Sequence, residues 1–171
     1  VGKLQVDKEL IAANRKLNDE EYQIVQNHVQ LGLDAVKKSG LMNKDVLEMI
    51  EYHHERHDGS GYPKGLKGDQ IPIFARIAAI VDCYDAITSH RSYAKALPPS
   101  MAIKMLYEWR DVDFQAELVE EFIQAVGIYP AGTLVELSSG QVGVVLSEYR
   151  TRRLRPKVMI LLDANKKPVT D

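Results

Sequence analysis

The sequence predicts a mainly helical bundle with a small C-terminal β extension of about three strands. Three observations predict it. Apolar residues recur at three- and four-residue spacing through most of the first 126 positions. The alanine-rich run "IPIFARIAAIVDCYDAIT" is long enough to be a buried helix. After Gly127 the pattern changes to short β-branched runs separated by turn residues. The domain division follows the same change: residues 1–126 form the helical body and residues 127–171 the β extension.

Residues 1–18 carry a short apolar turn or helix and then a polar stretch. "LNDEEYQIVQNHVQLGLDAVKKSG" reads as one helix. Asn18 is its N-cap, Glu21 stands in capping-box position, and Gly40 is its stop. Ile24, His28, Leu31 and Ala35 recur on one face. A second helix opens near Asn43, with Val46, Leu47 and Ile50 on one side, and runs toward the glycines from 59 onward. A buried helix follows at about 73–89. Pro98 and Pro99 lead into the helix "SMAIKMLYEWR", and the last helix spans about 114–126. "GTLVELSSGQVGVVLSEY" reads as two strands about a Ser-Gly turn, and "RPKVMILLD" as a third.

The 171 residues are 45% hydrophobic and 27% charged, with net charge −2, which is the composition of a globular domain. That balance excludes a strong basic field for a nucleic-acid polymer, while a small anion needs only local charge. No run of about 18 apolar residues is present to span a membrane. Cys83 is the only cysteine, so no internal disulfide forms, in keeping with a reducing, cytoplasmic setting. The first residue is not methionine, so the chain is read as a processed product or a piece of a longer one.

Several polar groups do not fit a bland core. His28 lies among apolar neighbours, His53 and His54 are adjacent, and Asp82 sits inside "AAIVDCYDAI". A buried carboxylate without a partner is costly, so Asp82 needs a metal or a hydrogen-bond donor. Together the four supply nitrogen and oxygen donors from three predicted helices, a set suited to Fe, Mn, Zn or Ni. A helical polar network is the competing reading. Asp85 falls near the Asp82 face and either orients a ligand histidine or bonds to backbone. Asp58 is expected to cap the "DGSG" turn. The loop "GSGYPKGLKG" has glycines, Gly61 among them, that permit close approach of a ligand. Tyr62 either contacts a base or phosphate or packs on Pro63 as a rigid turn. Arg91 and Lys95 either clamp a phosphodiester or form a solvated basic turn.

The run "HHERHDGSGYPKGLKGDQIPIFARIAAIVDCYDAITSHRSY" closely resembles the signature region of the HD-GYP family of cyclic di-GMP phosphodiesterases, a branch of the helical HD-domain metal phosphohydrolases. The resemblance extends over about residues 1–130 and fades in the last twenty or so. It implies a bundle holding two or three divalent metals, iron or manganese, and hydrolysis of cyclic di-GMP to pGpG and in some members GMP. It implies His28, His53, His54 and Asp82 as metal ligands, and Lys3 beside the scissile phosphate. Tyr62 would lie in the loop lining the cleft and Arg91 on the substrate phosphate. The family's His-Asp dyad would fall immediately before Val1, so the 171 residues alone are expected to be inactive. The family's basic residue after Arg-Pro-Tyr is displaced by one position to Lys95, and Asp7 stands where the family has proline. Partners implied are cyclic di-GMP, signalling proteins and a second copy of the chain. The rival readings are a non-enzymatic cyclic di-GMP effector and a phosphohydrolase for another cyclic nucleotide.

Overall fold

The computed structural model describes residues 2–13, 15–90, 95–127, 129–147 and 156–169. A short 3₁₀ turn, Gly2–Gln5, precedes α1 (Lys8–Ile11), α2 (Asp19–Gln26), α3 (His28–Lys38) and α4 (Lys44–Tyr52). A 54–67 loop and a second 3₁₀ turn, Gly68–Gln70, lead to α5 (Ile73–Thr88), then α6 (Pro99–Glu108) and α7 (Ala116–Val126). Among the described residues three strands follow: β1 (Leu134–Glu136), β2 (Val142–Ser147) and β3 (Lys157–Leu162). The expected mainly helical class with a three-stranded extension is the observed one.

The predicted capping box forms, and Asn43 caps the helix expected to open near it. Asn18 accepts from the Glu21 N–H at 2.8 Å while Glu21 accepts from the Asn18 N–H at 3.0 Å. The Asn43 side chain accepts from the Val46 N–H at 3.2 Å. Two boundaries differ from the expected ones. The helix expected over 18–40 is broken at Asn27, because His28 Nδ1 donates to the Val25 carbonyl at 2.6 Å. An unbroken helix would pair that carbonyl with the Val29 N–H. The helix opened by Asn43 stops at Tyr52 instead of running on toward the glycines, and His53 caps it. Its ring repeats the device, with Nδ1 donating to the Ile50 carbonyl at 2.8 Å.

α3 packs on the 3₁₀ turn and on α4, α4 packs on α5, and α5 packs on α6 and α7. Ala79, Ile80, Leu106, Phe114 and Val119 form the buried cluster between the last three helices. Each large side chain there contributes about 1.5–3 kcal/mol through burial. In the extension the strands pair antiparallel in the order β1-β2-β3. Gly140, at φ 83°, turns the first hairpin. A side chain at Gly143 would meet the Met159 carbonyl, so the β2–β3 bulge requires glycine there. Among the described residues, no helix is long and apolar enough to cross a membrane.

Candidate metal centre

The site is assembled by two helix ends. His28 opens α3 and His53 closes α4; His54 follows in the turn. Their donor nitrogens lie within 4.8 Å of one another. His28 and His53 each give their Nδ1 hydrogen to a backbone carbonyl. In a neutral ring the proton on Nδ1 leaves the Nε2 lone pair free to bind a metal. The Nε2 atoms of His28 and His54 are 3.2 Å apart. Two nitrogens each about 2.0–2.1 Å from one ion, at right or tetrahedral angles, lie roughly 2.9–3.4 Å apart. The donor chemistry and this spacing fit a divalent cation.

The electrostatics agree. Burial holds all three rings below the usual histidine range. His54 is pushed down to about 2, by burial first and then by the two neighbouring histidines. The cluster is therefore neutral at physiological pH, the protonation state a metal requires. His28 is the most enclosed, at 5% exposure.

Two cavities flank the cluster. One, of about 340 Å³, is lined by Lys3, His28, His53 and Asp82. The other, of about 520 Å³, is lined by Lys3, His28, His54 and Tyr62 together with residues of α1, α2 and the segment between them. Lys3 borders both because the turn carrying it lies against α3. A side chain at Gly2 would overlap the His28 carbonyl oxygen, and the facing position on α3 is Gly32. Asp82, on α5, faces the smaller cavity, outside the group of three mutually close histidine donors.

The Gly-Tyr-Pro loop is fastened to the histidine turn. The Tyr62 N–H donates to the His54 carbonyl at 3.2 Å, and the Tyr62 ring stacks on His54 with centroids 4.7 Å apart. Burial raises the Tyr62 phenol above its ordinary pKa. A side chain at Gly61 would strike the His54 carbonyl oxygen and the Arg56 nitrogen. Pro63 is exposed and follows Tyr62 through a cis peptide bond. Asp58 accepts from the Ser60 N–H at 2.8 Å, the turn-capping contact its position implied. Asp85 accepts from the Ser89 hydroxyl at 3.0 Å near the end of α5. Lys95 is exposed, and Arg91 lies outside the described residues.

Sequence reasoning missed Glu55. It is 2% exposed, and its carboxylate accepts from the backbone N–H groups of Lys64 and Leu66 at 2.7 and 2.9 Å. The available signal was an acid directly after the histidine pair and before a loop whose N–H groups lack strand or helix partners. Arg15, Asp19 and Tyr22, on the wall of the larger cavity, were also missed. They read as an ordinary polar helix start.

A helical bundle presenting converging imidazoles beside a glycine-rich loop defines a metal-binding domain of the HD type. The chain belongs to the HD-domain family: residues 1–118 match the model of the HD domain. Residues 134–171, which include the last twenty or so where the motif resemblance had faded, match the KOW domain associated with the HD domain. The chain is an HD-GYP-like member related to cyclic-nucleotide phosphodiesterases. It is 39% identical over 98% of its length to the cyclic di-GMP phosphodiesterase PA4108 of Pseudomonas aeruginosa, and spans 40% of that protein. It is 35% identical over 72% of its length to the 3'3'-cGAMP-specific phosphodiesterase 2 of Vibrio cholerae, spanning 24% of it. Among solved structures, the cyclic GMP-AMP-specific phosphodiesterase V-cGAP3 of V. cholerae superposes with TM-score 0.52 at 26% identity, over 64% of this chain and 25% of the other.

Proposed function

We propose that the intact protein carrying this domain is a metal-dependent phosphodiesterase that hydrolyses cyclic di-GMP to pGpG, with GMP as a further product. The observation that carries this reading is the convergence of His28, His53 and His54, within 4.8 Å, beside a loop that stacks Tyr62 on His54. The relative sharing 39% identity across 98% of the chain is a cyclic di-GMP phosphodiesterase. In this reading His28, His53, His54 and Asp82 hold two or three divalent ions, iron or manganese. Bound there, the ions would supply Lewis acidity and a water of lowered pKa.

The chain's own residues do the rest. Lys3 borders both cavities and offsets charge that develops on the attacked phosphate. The stacked Tyr62 fixes one wall of the cleft, and Arg91 and Lys95 are proposed to neutralise substrate phosphates. The Nδ1 bonds of His28 and His53 keep both rings in one tautomer through the cycle. A cytoplasmic location, signalling partners and a homodimer belong to this same proposal. A second reading, hydrolysis of 3'3'-cGAMP, is favoured by the relatives of that specificity.

The test is metal analysis of the intact protein followed by chromatography of its products from cyclic di-GMP and 3'3'-cGAMP. Release of pGpG supports the first reading, and preferential consumption of 3'3'-cGAMP the second. A metal-loaded protein that binds cyclic di-GMP and releases no pGpG would be an effector instead.

A further inference from the structure

We infer that the larger cavity is a guanine-reading pocket, with Arg15 as its specificity-determining residue. This inference rests on the proposal that the substrate is a cyclic dinucleotide, and it assigns the element that chooses the base.

The cavity has the size and character of a small-molecule site. It holds about 520 Å³ and adjoins the histidine cluster at His28 and His54. Leu10 and Ile11 line it from α1, and Tyr22 and Tyr62 face each other edge-on with centroids 6.2 Å apart. Apolar and aromatic walls suit a flat heterocycle. The charged groups of the lining are Lys3, Arg15, Lys16 and Asp19, and of these only Arg15 and Asp19 pair a planar donor fork with a carboxylate acceptor.

Those two groups match guanine and mismatch adenine. Guanine offers paired acceptors, O6 and N7, which a guanidinium fork binds in two places. Its N1–H and N2 amino group are donors, which suit a carboxylate. Adenine puts an amino donor where guanine has O6, so it would face the guanidinium donor to donor. Arg15 is held ready for this role. Glu21 accepts from its Nη1 at 2.6 Å and its Nη2 at 2.5 Å, and the same Glu21 closes the capping box of α2. A guanidinium has five N–H groups, so the Nε side can still donate while Glu21 fixes the plane. Fixing the plane beforehand lowers the ordering cost of binding.

The experiment is calorimetric binding of cyclic di-GMP and cyclic di-AMP to the chelator-treated intact protein, compared with Arg15→Lys and Arg15→Ala. A bidentate base contact discriminates by roughly 5- to 150-fold. Wild-type protein should therefore prefer cyclic di-GMP by about fivefold or more. Both variants should bring the two ligands within about threefold, and metal content before chelation should stay at the wild-type value. Arg15→Lys keeps the charge opposite Glu21 and removes only the fork, so it separates base reading from loss of the ion pair. Equal binding of both ligands by wild type, binding of neither, or an unchanged ratio in Arg15→Lys would overturn the inference. Failure of the functional proposal looks different: the binding preference would persist and collapse in the variants, while metal-loaded protein released no hydrolysis product.

Discussion

The carboxylate of Glu55 accepts the backbone N–H of Lys64 at 2.7 Å, across nine residues of loop. Its second oxygen takes the Leu66 N–H at 2.9 Å. A buried acid next to the histidine pair thus anchors the loop that positions Tyr62. Truncation would leave two loop N–H groups without their acceptor, at about 1–3 kcal/mol each. Glu55→Ala should therefore lower stability by about 2–6 kcal/mol in urea unfolding. Hydrogen exchange at Lys64 and Leu66 should speed up more than at core amides of α6. Equal acceleration everywhere would mean that Glu55 serves the fold globally and not the loop.

If His28, His53 and Asp82 are ligands, each alanine variant should lose metal. Removing even a partner behind a ligand weakens metal sites by about 10–100-fold, so loss of a ligand should cost about 100-fold or more. Elemental analysis and competition with a chromophoric chelator measure this directly. Full metal occupancy in Asp82→Ala would remove that residue from the set, which its position outside the histidine trio makes the sharpest case.

The pH dependence of the metal-free protein follows from the depressed histidines. In the unfolded chain each titrates near 6.5, whereas in the fold burial holds all three lower and His54 near 2. Between those values the unfolded state binds more protons, so stability is fully present above about pH 6.5 and falls as pH drops below it. Each histidine kept neutral contributes a slope of up to about 1.4 kcal/mol per pH unit. Urea midpoints between pH 7.5 and 5 should decline, and the decline should shrink in His54→Phe. A flat profile would contradict the burial of the rings.

Gly2 and Gly61 permit close backbone approach at the site. Overpacking typically costs about 1–3 kcal/mol, and alanine at Gly2 must push its turn away from the His28 carbonyl. Gly2→Ala should reduce turnover by displacing Lys3 while leaving metal content intact. Gly61→Ala should disturb the histidine turn itself and lower both. The two effects are separated by metal analysis alongside product chromatography.

Helix positions were legible because period and caps are local. Asn18 with Glu21, Asn43 with Val46, and the alanine-rich α5 all form where the pattern placed them. The helix breaks were less legible. His28 and His53 end or interrupt helices by giving a ring hydrogen to a carbonyl three residues back, and that competition depends on a ring orientation no periodicity records. The candidate site was legible in part. The histidines stood out by residue type, while Glu55 looked like one more acid in a charged run.

By itself the sequence determined the mainly helical class, the switch to strands after Gly127, the residue types able to bind a metal, and the HD-GYP signature, because periodicity, capping and motif are written in neighbouring positions. The tertiary structure decided which of those residues meet. It brought His28 within 3.2 Å of His54 across 26 residues, set Lys3 between two cavities, and turned Glu55 inward to hold a loop. It also placed Arg15, Asp19 and two tyrosines around one cavity. These are long-range juxtapositions, set by how the helices pack, and packing is settled only when the whole chain buries its apolar faces together.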